Sequence, residues 1–186
     1  MPTRPLTAAE RAEAQKIFGD GLDYDRCRIS EGGELPNIVG RIGAFLRGRK
    51  APDANAITVG DCSYFPRVLK TDDPTERQQW LTDMGWLMHE LTHQWQYQHD
   101  GPRYLIEAIL FSTYTYTPPN ESHNDALKGF SKAGKKFRDF TREQQGDIVR
   151  DYFWSTQLDG DGADRSGWLS YLDEVRTPLV KERPRG

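Results

Sequence analysis

Residues 89–93 of this chain read His89-Glu90-Leu91-Thr92-His93, which is the H-E-x-x-H pattern. Residues four apart in a helix lie on one face, so both imidazoles can bind a single ion at about 2.0–2.1 Å. The chain has 4 histidines in all, so chance alone does not readily place two of them at this spacing beside a glutamate. The pattern therefore predicts a zinc site on a helix.

The glutamate of the pattern has a separate role. Glu90 lies about 100° round the helix from His89, close to the ion but outside its ligand set. In that place it can accept a proton from zinc-activated water, whose pKa the metal lowers toward about 7, as the water attacks a carbonyl. The motif thus predicts a zinc-dependent hydrolase, and in the first place a metallopeptidase, with Glu90 as general base.

The residues around the motif predict one long helix over positions 74–98, with Pro74 at its start and Gly101-Pro102 beyond its end. One face of this helix is apolar and is expected in the core. That face carries Trp80, Met84, Leu87, Met88, Leu91 and Trp95. The opposite face carries Thr82, Trp86, His89, His93 and Gln96. We expect this second face to form the floor of a cleft.

A catalytic zinc takes three protein ligands and one water, so the motif lacks one ligand. His99 gives the spacing of metzincins, but Gln96 stands where that class needs a glycine, and His99 also suits a helix end. Glu107 is a lone carboxylate in an apolar segment, where a solvent-facing position is the other interpretation. Glu143, four residues before Asp147, matches the second-helix pattern of gluzincins. We favour Glu143 and keep Glu107 and His99 as alternative ligands.

The favoured third ligand brings its own helical geometry. Glu143 and Asp147 share one face, so Glu143 can bind zinc while Asp147 accepts a hydrogen bond from the far nitrogen of a ligand histidine. Gly146 would let this helix approach the motif helix closely. Three residues are candidates for stabilising the oxyanion: His123, Tyr97 and Tyr152. A peptide substrate is expected to lie against the strand at residues 57–60.

Local signals predict the remaining helices. Thr7 with Glu10, and Thr141 with Gln144, form two capping-box pairs, which predict helices ending near residues 18 and 157. A further helix is expected over residues 103–113.

Short strands are expected at residues 26–30, 57–60 and 63–65. The predicted fold class is α+β and zincin-like, mostly helical, with a small sheet before the motif helix. We expect one domain over residues 1–158, followed by an Asp/Gly-rich loop, a short helix and a flexible tail over 159–186.

Composition excludes several classes of protein. The formal net charge of -3 gives no strong field for nucleic acid, and no stretch approaches the roughly 20 apolar residues of a membrane span. The N-terminus has no apolar run of the secretory type. We therefore expect a chain that is cytoplasmic as synthesised, with export by a route that needs no cleavable signal left open. Cys27 and Cys62 are expected to be reduced thiols.

Five blocks of sequence carry a resemblance to known proteins: residues 17–24, 57–60, 89–98, 143–147 and 151–153. Together they resemble short zincin-like proteins related to Rhs or Vgr and linked to type VI secretion. They are also similar to the zincin-like core domain of extracellular contractile injection systems. The resemblance covers about residues 10–155, and H-E-L-T-H-x-W-Q is its most specific part.

The resemblance implies a metallopeptidase that serves as a secreted effector or a processing factor. It implies His89, His93 and Glu143 as zinc ligands and Glu90 as base, with a peptide or protein as substrate. A secretion-system or toxin partner is also implied. Two other functions stay open at this point: an inactive zincin fold that binds such a partner, and a toxin that cleaves a cell-wall peptide crosslink.

Overall fold

A computed structural model of the chain describes residues 2–32, 56–102 and 115–179. Its elements in chain order are α1 (Ala8–Phe18), β1 (Arg28–Glu31), β2 (Ile57–Val59), β3 (Cys62–Phe65), α2 (Arg77–Asp100), α3 (His123–Lys132), a 3-10 turn (Phe137–Asp139), α4 (Arg142–Leu158) and α5 (Ser166–Val175). The architecture is mixed α and β, mostly helical with a small sheet before the motif helix, as the sequence predicts.

Both capping boxes are present. The Thr7 hydroxyl accepts a hydrogen bond from the Glu10 N–H, and the Glu10 carboxylate accepts one from the Thr7 N–H. Thr141 and Gln144 make the same reciprocal pair at the start of α4. Each pair satisfies N–H groups that the first helical turn leaves without intrahelical partners, which fixes where α1 and α4 begin.

The sheet has three strands in the order β1-β3-β2. The strands expected at residues 57–60 and 63–65 are present as β2 and β3. They are antiparallel, and Gly60, with φ 64°, lies in the turn between them. The strand predicted at residues 26–30 is present as β1, which pairs in parallel with β3. Thr58 lies directly opposite Ser63 in this sheet.

The motif helix α2 lies at the centre of the molecule. All six residues of its predicted apolar face are buried, none more than 5% exposed. The opposite face is also covered over its central part, because α4 packs along it and buries His89, His93 and Gln96. Thr82, nearer the start of the helix, is exposed. The expected cleft floor is thus a nearly closed interface between α2 and α4.

Two glycines permit this close packing of α2 on α4. A Cβ on Gly146 of α4 would lie 2.7 Å from Cε1 and Nδ1 of the His89 ring. A Cβ on Gly85 of α2 would overlap the indole of Trp154 on α4. The close approach expected at Gly146 is confirmed, and the imidazole of His89 occupies the space where a side chain would stand.

The core continues beyond residue 158, where we expected the main domain to end. Four residues of α5 are buried in it: Trp168, Tyr171, Leu172 and Val175. The indole of Trp95 donates a hydrogen bond to the carbonyl of Val175. The helix expected over residues 103–113 and the tail from residue 180 lie outside the described residues. Within the described ranges, no helix combines the length and the apolar character of a bilayer span.

Candidate metal centre

Three side chains from α2 and α4 converge on one point. Nε2 of His93 lies 3.2 Å from Nε2 of His89. One carboxylate oxygen of Glu143 lies 3.3 Å from Nε2 of His89, and the other lies 3.5 Å from Nε2 of His93. Ligands at about 2.0–2.1 Å from a tetrahedral zinc are separated from one another by about 3.3–3.4 Å. The two imidazole nitrogens, and each nitrogen with its nearest Glu143 oxygen, are therefore close to the separation of zinc ligands.

Asp147 sets the orientation of His89. Its Oδ1 lies 3.0 Å from Nδ1 of His89, and Arg150 donates to the same oxygen at 2.5 Å. An ionised carboxylate only accepts hydrogen bonds, so Nδ1 of His89 carries the proton. Nε2 then presents a lone pair toward His93 and Glu143, which is the tautomer that binds a metal.

Two glutamine amides set the orientation of His93. Nε2 of Gln96 donates to the carbonyl of Arg142 and to Oε1 of Gln145, both at 3.0 Å. Gln145 is itself fixed because its own Nε2 donates to the carbonyl of Phe140 at 2.9 Å. Oε1 of Gln96 must then be the atom that lies 2.9 Å from Nδ1 of His93, so Nδ1 donates and Nε2 keeps its lone pair.

The result is a cluster of three acceptors that repel one another unless positive charge lies among them. At His89, burial lowers the pKa, but hydrogen bonds to Asp147 and Glu143 outweigh it and raise the pKa to about 10. At His93, burial likewise lowers the pKa, and the charge and hydrogen bond of Glu143 outweigh it. The pKa of Glu143 is lowered in spite of its burial, chiefly by the charge of His93. The centre therefore favours protons or a cation.

This arrangement fits a divalent zinc ion. Two imidazoles and one carboxylate form a ligand set found at catalytic zinc sites, and the cation takes the place of the protons. Among the described residues, His89, His93 and Glu143 form the one group of three or more metal-binding side chains whose ligand atoms all lie within 4.8 Å. The structure thus brings together the three favoured ligands.

Glu90 lies beside this group but faces the sheet. It follows His89 directly in α2, and its charge raises the pKa of both His89 and His93. One of its oxygens, Oε2, accepts a hydrogen bond of 2.6 Å from the hydroxyl of Thr58 in β2. Glu90 is 5% exposed. The arrangement places a held carboxylate next to the cluster without making it a member.

The two alternative ligands are not in the cluster. His99 donates from Nε2 to the carbonyl of Gly21 at 2.7 Å, and its ring packs on Trp95 with centroids 4.5 Å apart. It therefore joins the end of α2 to the segment after α1, and the alternative of His99 as third ligand does not agree with this geometry. Glu107 lies outside the described residues.

Of the three oxyanion candidates, His123 is linked by hydrogen bonds to the cluster of His89, His93 and Glu143. Its Nδ1 lies 2.9 Å from Oδ2 of Asp151, which also accepts from the hydroxyl of Tyr116 at 2.9 Å. Arg150 bridges Asp151 and Asp147, and Asp147 holds His89. The His123 side chain is 48% exposed, so a polar chain leads from the cluster to an accessible imidazole.

The two tyrosine candidates lie elsewhere. Tyr152 is nine residues after Glu143, about two and a half helical turns, so it faces the other side of α4. There its ring packs 6.4 Å from that of Trp168, and it lines a groove with residues of α1 such as Ile17. The expectation that Tyr152 faces the centre is wrong for this reason. Tyr97 packs on Gly60 in the β2–β3 turn.

Sequence reasoning missed four residues of the site: Thr58, Gln96, Gln145 and Arg150. Gln96 was placed on the ligand face but was given no contact with His93, although it lies three residues after it. Arg150 has the same relation to Asp147. These spacings could have revealed Gln96 and Arg150, whereas no local pattern links Thr58 to Glu90.

Comparison with known proteins gives one relative. No protein-family model matches the chain. The chain is 28% identical over 182 residues to the type VI secretion system spike protein VgrG2b of Pseudomonas aeruginosa. The match covers 94% of this chain but 15% of the spike protein, so the chain spans a small part of that relative's length.

A solved structure points to the same relative. The effector domain of Pseudomonas aeruginosa VgrG2b matches with a TM-score of 0.56 and 26% identity, over 90% of this chain and 82% of that one. The link to type VI secretion that the motifs implied is supported by this homology. The chain is therefore related to the effector domain of a type VI secretion spike protein.

Proposed function

We propose that this protein is a zinc-dependent hydrolase of peptide bonds with a zincin-like fold. The observation that carries the proposal is the cluster of His89, His93 and Glu143. The two Nε2 atoms lie 3.2 Å apart, and an oxygen of Glu143 lies 3.3–3.5 Å from each of them. These three residues would hold the metal. When bound, zinc supplies a Lewis acid that polarises a carbonyl and makes water more acidic.

The protein's own residues would have separate roles in this reaction. Asp147 and Gln96 keep the two imidazoles in the metal-binding tautomer. Glu90 accepts a proton on its carboxylate as water attacks the carbonyl carbon, and it passes that proton to the leaving amine as the C–N bond breaks. His123 is the favoured donor to the developing oxyanion, because Asp151 binds its Nδ1 and the ring is accessible.

The homology adds a biological setting to this chemistry. Since the relative is a spike protein of the type VI system with an effector domain, we propose that this chain is an effector associated with such a system. It would be made in the cytoplasm and exported by that system, and its target would be a peptide or protein. A partner in the secretion apparatus belongs to the same proposal.

The test combines metal analysis with one substitution. We expect about one zinc per chain in the purified protein, and cleavage of heat-denatured casein that stops with a chelator and returns with zinc. Glu90→Gln keeps the size and the hydrogen-bonding oxygen but removes the base, so turnover should fall by about 100-fold or more while zinc is retained.

Each of the other possible results would assign a different function to this protein. Zinc binding with no hydrolysis of casein or of isolated peptidoglycan, in either form, would support a partner-binding role in place of catalysis. Cleavage of peptidoglycan peptides without casein would point to the cell wall. A chain that binds no metal would end the hydrolase proposal.

A further inference from the structure

We infer that Thr58 is a positioning residue for the general base: its hydroxyl holds Oε2 of Glu90 and leaves Oε1 as the proton acceptor. The inference rests on the proposed hydrolase function. The contact is direct, since Oγ1 of Thr58 lies 2.6 Å from Oε2 of Glu90. Within the described ranges, no hydrogen bond is made to Oε1 of Glu90.

The direction of the hydrogen bonds is set by a buried chain that crosses the sheet. Nε2 of Gln94 donates to the carbonyl of Arg28 at 3.1 Å and to Oγ of Ser63 at 2.7 Å. Ser63 and Thr58 are joined by a contact of 2.7 Å between their hydroxyl oxygens. Because the Glu90 carboxylate can only accept, Thr58 donates to it, and Ser63 then donates to Thr58. The chain therefore runs from Gln94 through two hydroxyls to Glu90.

The sheet is what makes this chain rigid. Thr58 and Ser63 lie opposite each other across the antiparallel pair and are 5% and 0% exposed, so water does not compete for their hydroxyls. Threonine is β-branched and has few rotamers, which limits where its hydroxyl can lie. The strand thus presents one donor at a fixed place beside α2.

A held carboxylate matters because of the cluster next to it. Glu90 has three rotatable side-chain bonds, and a cation among His89, His93 and Glu143 would attract both of its oxygens. A hydrogen bond to a charged group is stronger than one between neutral groups, so Thr58 restrains Oε2 on the side of the sheet. The hydroxyl therefore keeps Glu90 as a base and prevents it from turning into a further ligand.

A purely structural role is the alternative, since Thr58 also lies 3.3 Å from the backbone carbonyl of Glu90 and ties the strand to the helix. The chain offers a matched control for that role. Thr71 donates to Oε1 of Glu10 at 2.7 Å, and both residues are buried, at 1% and 0% exposure. Thr71→Val removes the same kind of bond without touching the centre.

The first experiment does not depend on turnover. The side-chain carboxyl carbons of glutamate are labelled with ¹³C, the metal-free protein is observed by NMR, and the Glu90 signal is assigned by its loss in Glu90→Gln. We expect this signal to shift in Thr58→Val, which has the same shape without the hydroxyl, and to stay near its wild-type position in Thr58→Ser and Thr71→Val. An unchanged signal in Thr58→Val would overturn the inference.

The second experiment measures hydrolysis of denatured casein by the zinc-loaded proteins. We expect Thr58→Val to lower kcat by about 10–100-fold with KM and zinc content held, and Thr58→Ser to restore most of it. We expect Thr71→Val to lower the melting temperature and to keep the wild-type kcat. If Thr58→Val behaves in the same way, Thr58 has a structural role only. If wild type hydrolyses neither casein nor isolated peptidoglycan, the hydrolase proposal fails, while the NMR shift still decides whether Thr58 holds Glu90.

Discussion

The two sides of the centre are built from different elements and hold different groups. On one side, α4 contributes Glu143 to the ligand set, and Asp147 to orient His89. On the other side, the β2–β3 hairpin contributes a hydroxyl from Thr58 to Glu90. In the described residues the α4 side contacts the proposed metal ligands, and the hairpin side contacts the proposed base.

In the proposed hydrolase, metal binding and proton transfer would therefore be supported by different parts of the chain. Substitutions on α4 should change zinc affinity first, and those on the hairpin should change turnover with the metal retained. A helix supplies several side chains on one face at intervals of one turn, which suits a set of ligands that must converge. A strand supplies a single side chain with little freedom, which suits the restraint of one carboxylate.

Removing the third ligand should give the largest change in zinc affinity. Glu143→Ala takes away a charged ligand atom and leaves two histidines, so we expect zinc affinity to fall by more than the 10–100-fold typical of an outer-shell partner. The dissociation constant is measured by competition with a chelating dye. Glu90→Gln is the control from the hairpin side and should bind zinc as wild type does. A Glu143→Ala protein with wild-type affinity would show that the metal takes its third ligand elsewhere.

Filling the space of one glycine tests whether the contact between α2 and α4 places His89. In Gly146→Ala the new methyl would lie 2.7 Å from the His89 ring, so the ring must move, and we expect zinc affinity to fall by about 100-fold. Gly85→Ala crowds the same helix pair at Trp154, away from the ligands. Both should lower the free energy of unfolding, by about 1–3 kcal/mol.

We expect the two glycine variants to lose similar stability and to differ in zinc affinity, so zinc affinity is the informative measurement. Chemical denaturation of the metal-free proteins gives the stability loss, and chelator competition gives the affinity. If Gly85→Ala weakens zinc as much as Gly146→Ala, the spacing of the helices as a whole sets the site, and the position of the His89 ring does not.

Much of the α2–α4 arrangement could be predicted from the sequence because the signals for it are local. Capping boxes mark where α1 and α4 begin, and the four-residue spacings of His89 with His93 and of Glu143 with Asp147 place each pair on one helical face. Gly146 beside these carboxylates indicated a close approach. Such patterns depend on residues within one or two turns, so a single sequence displays them.

The remaining partners were missed because they come from a distant segment or because their residue types suit a helix whatever they contact. Thr58 meets Glu90 across 32 positions of sequence, and a threonine in a strand is ordinary. Tyr152 was one of three oxyanion candidates that no local signal separated, and the helical period turns it away from Glu143. Gln96 suits a helix in any case, so its hydrogen bonds to His93 were not distinguishable from simple helix propensity.

The smallest expected effects come from the residues that orient the two imidazoles. His89 is held by the charged Asp147, which Arg150 balances, and His93 is held by the neutral Gln96. Asp147→Asn keeps the shape and an acceptor oxygen but loses the charge, so we expect zinc affinity to fall by about 10-fold. The stability of the metal-free protein should change less, because Arg150 keeps its bonds to Asp151.

In Gln96→Glu, by contrast, the main effect should be on the stability of the metal-free protein. The new carboxylate keeps an oxygen for His93, but its second oxygen replaces an amide that donates to the carbonyl of Arg142 and to Oε1 of Gln145. Two buried acceptors then face an oxygen with no hydrogen to give, so we expect a loss of about 1–3 kcal/mol in the free energy of unfolding. Denaturation of the metal-free variant measures it. A Gln96→Glu protein as stable as wild type would mean that those amide hydrogens do not fix Gln96, and that the tautomer of His93 is set in another way.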